Sequence, residues 1–164
     1  MEIQLRKMTE EDRKEVSAIY LEGIESNKAT FETVCPTYEE WDKGHLEQCR
    51  IVAEIDKEVA GWVALSPVSN RYVYRGVAEI SLYIANKYQH KGIGKKLLER
   101  VCTAAEEEGF WTLQSSIMAD NKPSLDLHEK CGFRTVGYRE KHGQDQHGNW
   151  RDTVLVEKRS IHIV

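Results

Sequence analysis

Long apolar runs, paired cysteines and an excess of basic charge are all missing from this 164-residue chain. No apolar stretch approaches the roughly 18 residues that a membrane-spanning helix needs, so no membrane partner is expected. The four cysteines, Cys35, Cys49, Cys102 and Cys131, include no Cys-x-x-Cys pair, which argues against a disulfide framework or a zinc knuckle. His128 and Cys131 could share one helical face, but two ligands do not make a metal site, and none is expected. A formal net charge of −4 leaves no broad basic face for nucleic acid, so any anionic ligand must be held by a local feature. Internal repeats, low-complexity tracts and linkers rich in Pro, Gly or Ser are absent as well. The opening residues MEIQLRKMTEEDRK lack an apolar stretch followed by a small-residue cleavage site, and a cytoplasmic location is the expectation.

What is present suits one compact domain spanning 1–164, with 40% apolar and 30% charged residues. Ile3 to Lys7 alternates like a strand. Thr9 and Asp12 form a capping-box pattern that opens a helix, whose stripe is Val16, Ile19, Tyr20, Gly23 and Ile24. Lys28 to Tyr38 reads as loop and Tyr38 to Leu46 as a short helix. A hairpin is expected from Arg50–Ile55 and Glu58–Ser66 around Asp56 and Lys57, followed by a strand over Val77–Ile84. Gly92 to Glu108 has the strongest amphipathic pattern, with Ile93, Leu97, Leu98, Val101, Ala104 and Ala105 on one face and Gly109 placed to end it. A strand over Thr112–Met118, a helix capped by Asn121 with Pro123 in its first turn, and strands Phe133–Lys141 and Trp150–Glu157 complete the chain. That order predicts a mixed α/β (α+β) domain with helices on both faces of the sheet.

The segment richest in chemistry is Glu79-Ile-Ser-Leu-Tyr-Ile84 leading into Gln89-His-Lys-Gly92-Ile-Gly94-Lys95. A strand runs into a glycine-containing loop that opens a helix. Its first amides have no internal partners and sit at the positive end of the helix dipole, as a pyrophosphate requires. The segment is neither a Rossmann fingerprint, because Leu97 stands where the third glycine belongs, nor a Walker loop, because Gly-Lys-Ser/Thr is absent. Taken alone, Glu79 reads first as a solvated strand carboxylate paired with a lysine, and His128 can be a hydrogen-bonded packing histidine.

Gln89-x-x-Gly92-x-Gly94 resembles the Gln/Arg-x-x-Gly-x-Gly/Ala pattern of the GNAT N-acetyltransferases. Asn121-Lys-Pro-Ser124-Leu-Asp-Leu-His128-Glu-Lys-Cys-Gly132-Phe133 follows at the expected distance. With Ala29-Thr-Phe31-Glu-Thr33 and Gly148-Asn-Trp150-Arg-Asp152, the chain is most similar to the phosphinothricin-type amino-acid N-acetyltransferases, from about Ile3 to about Lys158. The resemblance implies a mostly antiparallel sheet with acetyl-CoA in a V-shaped strand split. It implies that the backbone of Leu82, Tyr83 and Ile84 pairs with the pantetheine arm and that the segment Gln89, His90, Lys91, Gly92, Ile93, Gly94 and Lys95 cradles the pyrophosphate. Asn121 and Ser124 would meet the cofactor from the next strand–helix junction. Glu79 matches the general base, and His128 the subgroup's helix histidine, as leaving-group acid or substrate ligand. A homodimer is also implied.

A carboxylate can take the proton that a protonated amine must lose before it attacks a thioester. For the substrate anion, the expectation falls on Arg71 and Arg75 before the Glu79 strand, Arg75 being preferred, with Phe31 and Trp150 as pocket walls. Acceptors of another kind remain open: a protein N-terminus, a polyamine or an aminoglycoside. A non-catalytic acetyl-CoA-binding module would need only the cofactor half of these residues.

Overall fold

A computed structural model describes all residues, 1–164. Strands β1 (Gln4–Lys7), β2 (Ile51–Ile55), β3 (Glu58–Pro67), β4 (Val77–Ile84), β5 (Thr112–Met118), β6 (Arg134–Gln144) and β7 (Trp150–Arg159) build one sheet. Helices α1 (Arg13–Ser26), α2 (Tyr38–Gly44), α3 (Ile93–Glu107) and α4 (Lys122–Lys130) lie between them. The spatial order is β1-β2-β3-β4-β5-β7-β6, and every neighbouring pair is antiparallel except β4 and β5.

Local chemistry explains most boundaries. Asp12 accepts from the Thr9 amide at 2.7 Å and closes the turn that enters α1. Its carboxylate also takes two hydrogen bonds from Arg6, at 2.9 and 2.8 Å, fixing β1 to that turn. Asn27, in the left-handed region with φ 56°, ends α1. Asp56 and Lys57, with φ 49° and 67°, form the two-residue turn that lets β2 and β3 pair without splaying. Asn121 accepts from the Ser124 amide at 3.3 Å and starts α4, with Pro123 inside the first turn.

β3 is buried on both faces from Val59 to Leu65, because helices cover both. On one side the apolar stripe of α3 (Ile93, Leu97, Leu98, Val101 and Ala105) packs on Val63, Leu65, Ala78 and Ile80. On the other, Val16 and Ile19 of α1 and Trp41 of α2 cover Val52, Trp62 and Ala64. Each fully buried leucine of α3 contributes about 1.5–3 kcal/mol over an exposed one. β4 pairs with the doubly covered β3, and the site is built on the free edge of β4.

The last two strands run further than expected, β7 as far as Arg159. β6 continues to Gln144, and its pairing with β7 is irregular between Arg139 and Gly143. Four steps along β6 there answer two along β7, from Thr153 to Arg151. Lys141 takes a positive φ of 47°, and Asp152 accepts from its amide at 2.7 Å and from the Tyr138 hydroxyl, stapling the bulge in place.

Candidate active site

β4 and β5 pair over only three residues, Val77↔Thr112, Ala78↔Leu113 and Glu79↔Gln114. Beyond them β4 stays with β3 as far as Ile84↔Gly61, while β5 stays with β7 as far as Met118↔Thr153. The sheet therefore forks, and the facing edges of Ile80–Ile84 and Ser115–Met118 have no strand between them. A cavity of about 460 Å³ fills the fork. Glu79, Ser81, Leu82 and Tyr83 line it from β4, and Ser115 to Met118 from β5. Asn121, Ser124 and His128 close it from α4, and Lys28 to Glu32 from the loop after α1.

The pleat of β4 sorts these side chains. Ile80 and Leu82 turn into the α3 core. Glu79, Ser81 and Tyr83 turn the other way, and the Tyr83 ring stacks on Tyr20 with centroids 4.9 Å apart and lies 5.1 Å from Trp62. A Cβ on Gly23 would stand 2.7 Å from that ring, so α1 needs glycine there to approach β4.

Past Ile84 the chain becomes an anion cradle. The amides from His90 to Lys95 donate no hydrogen bond within the protein; the first helical bond runs from the Lys96 amide to the Gly92 carbonyl at 3.3 Å. His90 (φ 62°) and Gly92 (φ 81°) take left-handed conformations that turn these amides outward at the start of α3. Gln89 does something the sequence did not disclose: its Nε2 donates to the Ile84 carbonyl at 3.0 Å, pinning the end of β4 to the loop. A Cβ on Gly94 would lie 3.1 Å from Leu127, so this glycine sets how closely α3 and α4 approach.

Glu79 is half-buried, lines the cavity and forms no ion pair. His128 is 3% exposed and stands edge-on to Phe133. Its Nδ1 lies 2.7 Å from the Ser124 carbonyl, which can only accept, so Nδ1 carries the proton. Nε2 is buried and has no partner, on a residue that lines the cavity. Burial pushes the imidazole below its ordinary pKa, against a smaller opposing pull from the Ser124 carbonyl. At neutral pH His128 is thus a neutral ring with a lone pair available, suited to accept a hydrogen bond and poorly set to arrive as an acid. The Thr153 hydroxyl, 1% exposed, also lines the cavity without a partner.

Asn121 has both ends of its amide engaged. Oδ1 caps α4, and Nδ2 donates to the Lys28 carbonyl at 3.1 Å, tying the α1–α2 loop to the start of α4. A second tie lies below it. Arg151 donates to the Asn27 carbonyl at 2.7 Å, to Asp145 at 3.2 Å and to Asp120 at 2.8 Å. Burial opposes ionisation of Asp145, but bonds from Asn27, the Asn149 and His147 amides and Arg151 outweigh it and hold its carboxyl at about 2.

The substrate-side expectations need correction. Phe31 does line the cavity, its ring against Gly143. Arg71, Arg75 and Trp150 do not. Arg75 precedes β4, which begins at Val77; its guanidinium lies over the rings of Tyr72 at 4.0 Å and Trp111 at 5.3 Å and donates to the Tyr72 carbonyl. Arg71 lies over Tyr74 in the same 3-10 turn. Trp150 begins β7 and is 58% exposed. The cationic side chains that do reach the cavity are Lys28, Arg139 and, when protonated, His142. The sequence carries no local signal for the last two, since they reach one face only through the β6 bulge.

Residues 11–133 match the Acetyltransferase (GNAT) family. A phosphinothricin N-acetyltransferase of Streptomyces viridochromogenes is 30% identical over 154 residues, covering 92% of this chain and 84% of that one. Among solved structures, a GNAT superfamily phosphinothricin acetyltransferase from Sinorhizobium meliloti in complex with AcCoA superposes with a TM-score of 0.87 at 28% identity, over 97% of this chain and 89% of the other. A ribosomal-protein-alanine N-acetyltransferase from Brucella melitensis gives a TM-score of 0.87 at 27% identity, over 96% and 99%. Forked strands, six free amides and a matching sequence over three quarters of its length thus agree: the chain belongs to the GNAT family and is an acetyl-CoA-dependent N-acetyltransferase.

Proposed function

We propose that the protein transfers acetyl to the primary amine of a small amino-acid-like acid of the phosphinothricin, methionine sulfoximine or methionine sulfone type. The carrying observation is that Glu79, an unpaired half-buried carboxylate, shares one cavity with the free edges of β4 and β5.

Acetyl-CoA supplies an activated acyl group as its thioester. The edge backbone of Leu82, Tyr83 and Ile84 offers amides and carbonyls to the amide-bearing arm, as an added strand would. The amides from His90 to Lys95 hold the pyrophosphate, with Gln89 bracing the loop and Lys91 and Lys95 adding charge. Asn121 and Ser124 form the wall on the α4 side. Glu79, directly or through a water, takes the proton of the acceptor ammonium; the freed nitrogen forms the C–N bond as the C–S bond breaks. An edge amide of β4 donates to the carbonyl oxygen as negative charge develops on it. His128, neutral with a free Nε2, accepts a hydrogen bond from the acceptor amine and orients it. Sulfur leaves as thiolate and takes its proton from solvent or from the proton released by the amine.

The chain acts as one domain over 1–164. We assign it to the cytoplasm and to a homodimer, the latter supported by the exposed Tyr72, Val73 and Tyr74 on one turn. Sedimentation at micromolar concentration checks the dimer.

A thiol-release assay with acetyl-CoA against methionine sulfone, phosphinothricin, spermidine and a short peptide tests the substrate class. Turnover restricted to the amino-acid analogues is expected. Turnover of the peptide alone would favour protein N-termini, a reading that the fold similarity to the Brucella enzyme keeps in view.

A further inference from the structure

Resting on the acetyl-transfer reading of the same cavity, we infer that Arg139, with Thr153 and His142, forms the receptor for the anionic group of the acceptor. Arg139 and Thr153 are direct cross-strand partners on β6 and β7, and Thr153 in turn faces Met118 on β5. Directly opposed residues project from the same face of a sheet, so Met118, Thr153 and Arg139 form one row across the floor of the fork. All three line the cavity.

Three positions along an unbroken strand, His142 would project from the opposite face to Arg139. The stapled bulge cancels that alternation. Arg139 Nη1 and His142 Nε2 come within 3.4 Å, and both side chains line the cavity. The bulge therefore converts two residues of a terminal hairpin into one binding surface.

The charge pattern says what that surface takes. Arg139 has no carboxylate partner, whereas Arg134 on the same strand is paired with Glu157 and Arg151 on the neighbouring strand with Asp120 and Asp145. The cavity wall carries two carboxylates, Glu32 and Glu79. An acidic ligand placed among them needs a cation that no protein acid already neutralises. Thr153 adds a buried hydroxyl with no partner beneath the same surface, one that a small side-chain rotation would bring to a bound oxygen. A guanidinium fork with an adjacent hydroxyl suits a planar carboxylate or a tetrahedral phosphinate alike.

The test is calorimetric binding to the 164-residue chain loaded with CoA, using L-phosphinothricin, L-methionine sulfone and the carboxamide of methionine sulfone. Wild type should bind the acids on the order of tenfold or more tighter than the amide, as charge-assisted hydrogen bonds imply. Arg139→Gln should abolish most of that preference and Arg139→Lys part of it, while Thr153→Val weakens the acids several-fold. Arg134→Gln, on the same strand but outside the cavity, should retain it. Loss confined to methionine sulfone against its amide assigns the α-carboxylate to Arg139; loss confined to phosphinothricin against methionine sulfone assigns the distal group. Wild-type preference in Arg139→Gln and Arg139→Lys, or no binding of any acid by wild type, overturns the receptor. Acid binding that depends on Arg139 without thiol release from any amine would keep the receptor and overturn the transfer reading. Thiol release by Arg139→Gln at the wild-type KM for the acids would do the reverse.

Discussion

The two arms of the fork offer a ligand different surfaces. The β4–α3 arm presents backbone: the free edge of β4, six unpartnered amides and glycines that let the chain turn and α4 approach. The arm formed by β5, β7 and β6 presents side chains, Thr153, Arg139 and His142, brought to one cavity by pairing register and by one bulge. Backbone recognition tolerates many side chains and suits a cosubstrate shared across a family. Side-chain recognition changes with single substitutions and suits the partner that distinguishes one enzyme from the next. Glu79 stands where the arms part, in the last paired position before the fork.

Substitutions that strike one arm and spare the other sharpen this contrast. The largest effect is expected at the branch point: Glu79→Gln should lower kcat by about 10²–10⁴-fold, with acetyl-CoA affinity unchanged by calorimetry. Unchanged turnover would remove Glu79 as the proton acceptor. On the backbone arm, Gly94→Val forces Leu127 away from α3, and overpacking of that kind costs about 1–3 kcal/mol. Acetyl-CoA should bind roughly tenfold or more weakly, while acid binding to the CoA-saturated protein stays put; parallel losses in both would erase the division between the arms.

Smaller effects are expected on the other side. Asp152→Ala removes the staple on the Lys141 amide and the Tyr138 hydroxyl without touching the cavity. The amine KM should rise by about a few fold, as for a lost hydrogen bond, with acetyl-CoA affinity constant; a shift in the latter instead would place the bulge in the wrong arm. The smallest effect is in pH. His128 and His45 have pKa values lowered by burial, so the unfolded chain binds protons more readily than the folded one. Thermal stability should hold above about pH 6.5, the ordinary histidine value, and decline as pH falls below it. His128→Asn should reduce that decline, leaving the His45 share; an unchanged slope would mean that His128 is not held neutral.

Legibility followed the same division. Gln89-x-x-Gly92-x-Gly94 is contiguous, and its meaning is local: a strand end, a left-handed glycine and a helix start. The stripe of α3 and the Asp56–Lys57 turn were readable for the same reason, since 3.6-residue periodicity and turn chemistry act over a few residues. Closeness to Glu79 along the chain does not bring Arg75 into the cavity, because two aromatic rings hold it outside. Arg139 and His142 were not singled out, because a plain strand would put them on opposite faces.

The sequence by itself determined most of the elements and the anion-binding turn, since these depend on backbone conformations set by neighbouring residues; the acyl donor followed from the resemblance of its motifs to the GNAT family. Only the tertiary structure decided which side chains line the cavity of the fork. That choice rests on where β4 and β5 stop pairing, on the bulge that turns His142 toward Arg139, and on burial that keeps His128 neutral. Each arises from contacts between segments far apart in the chain, where packing and hydrogen-bond satisfaction over the whole domain outweigh local propensity.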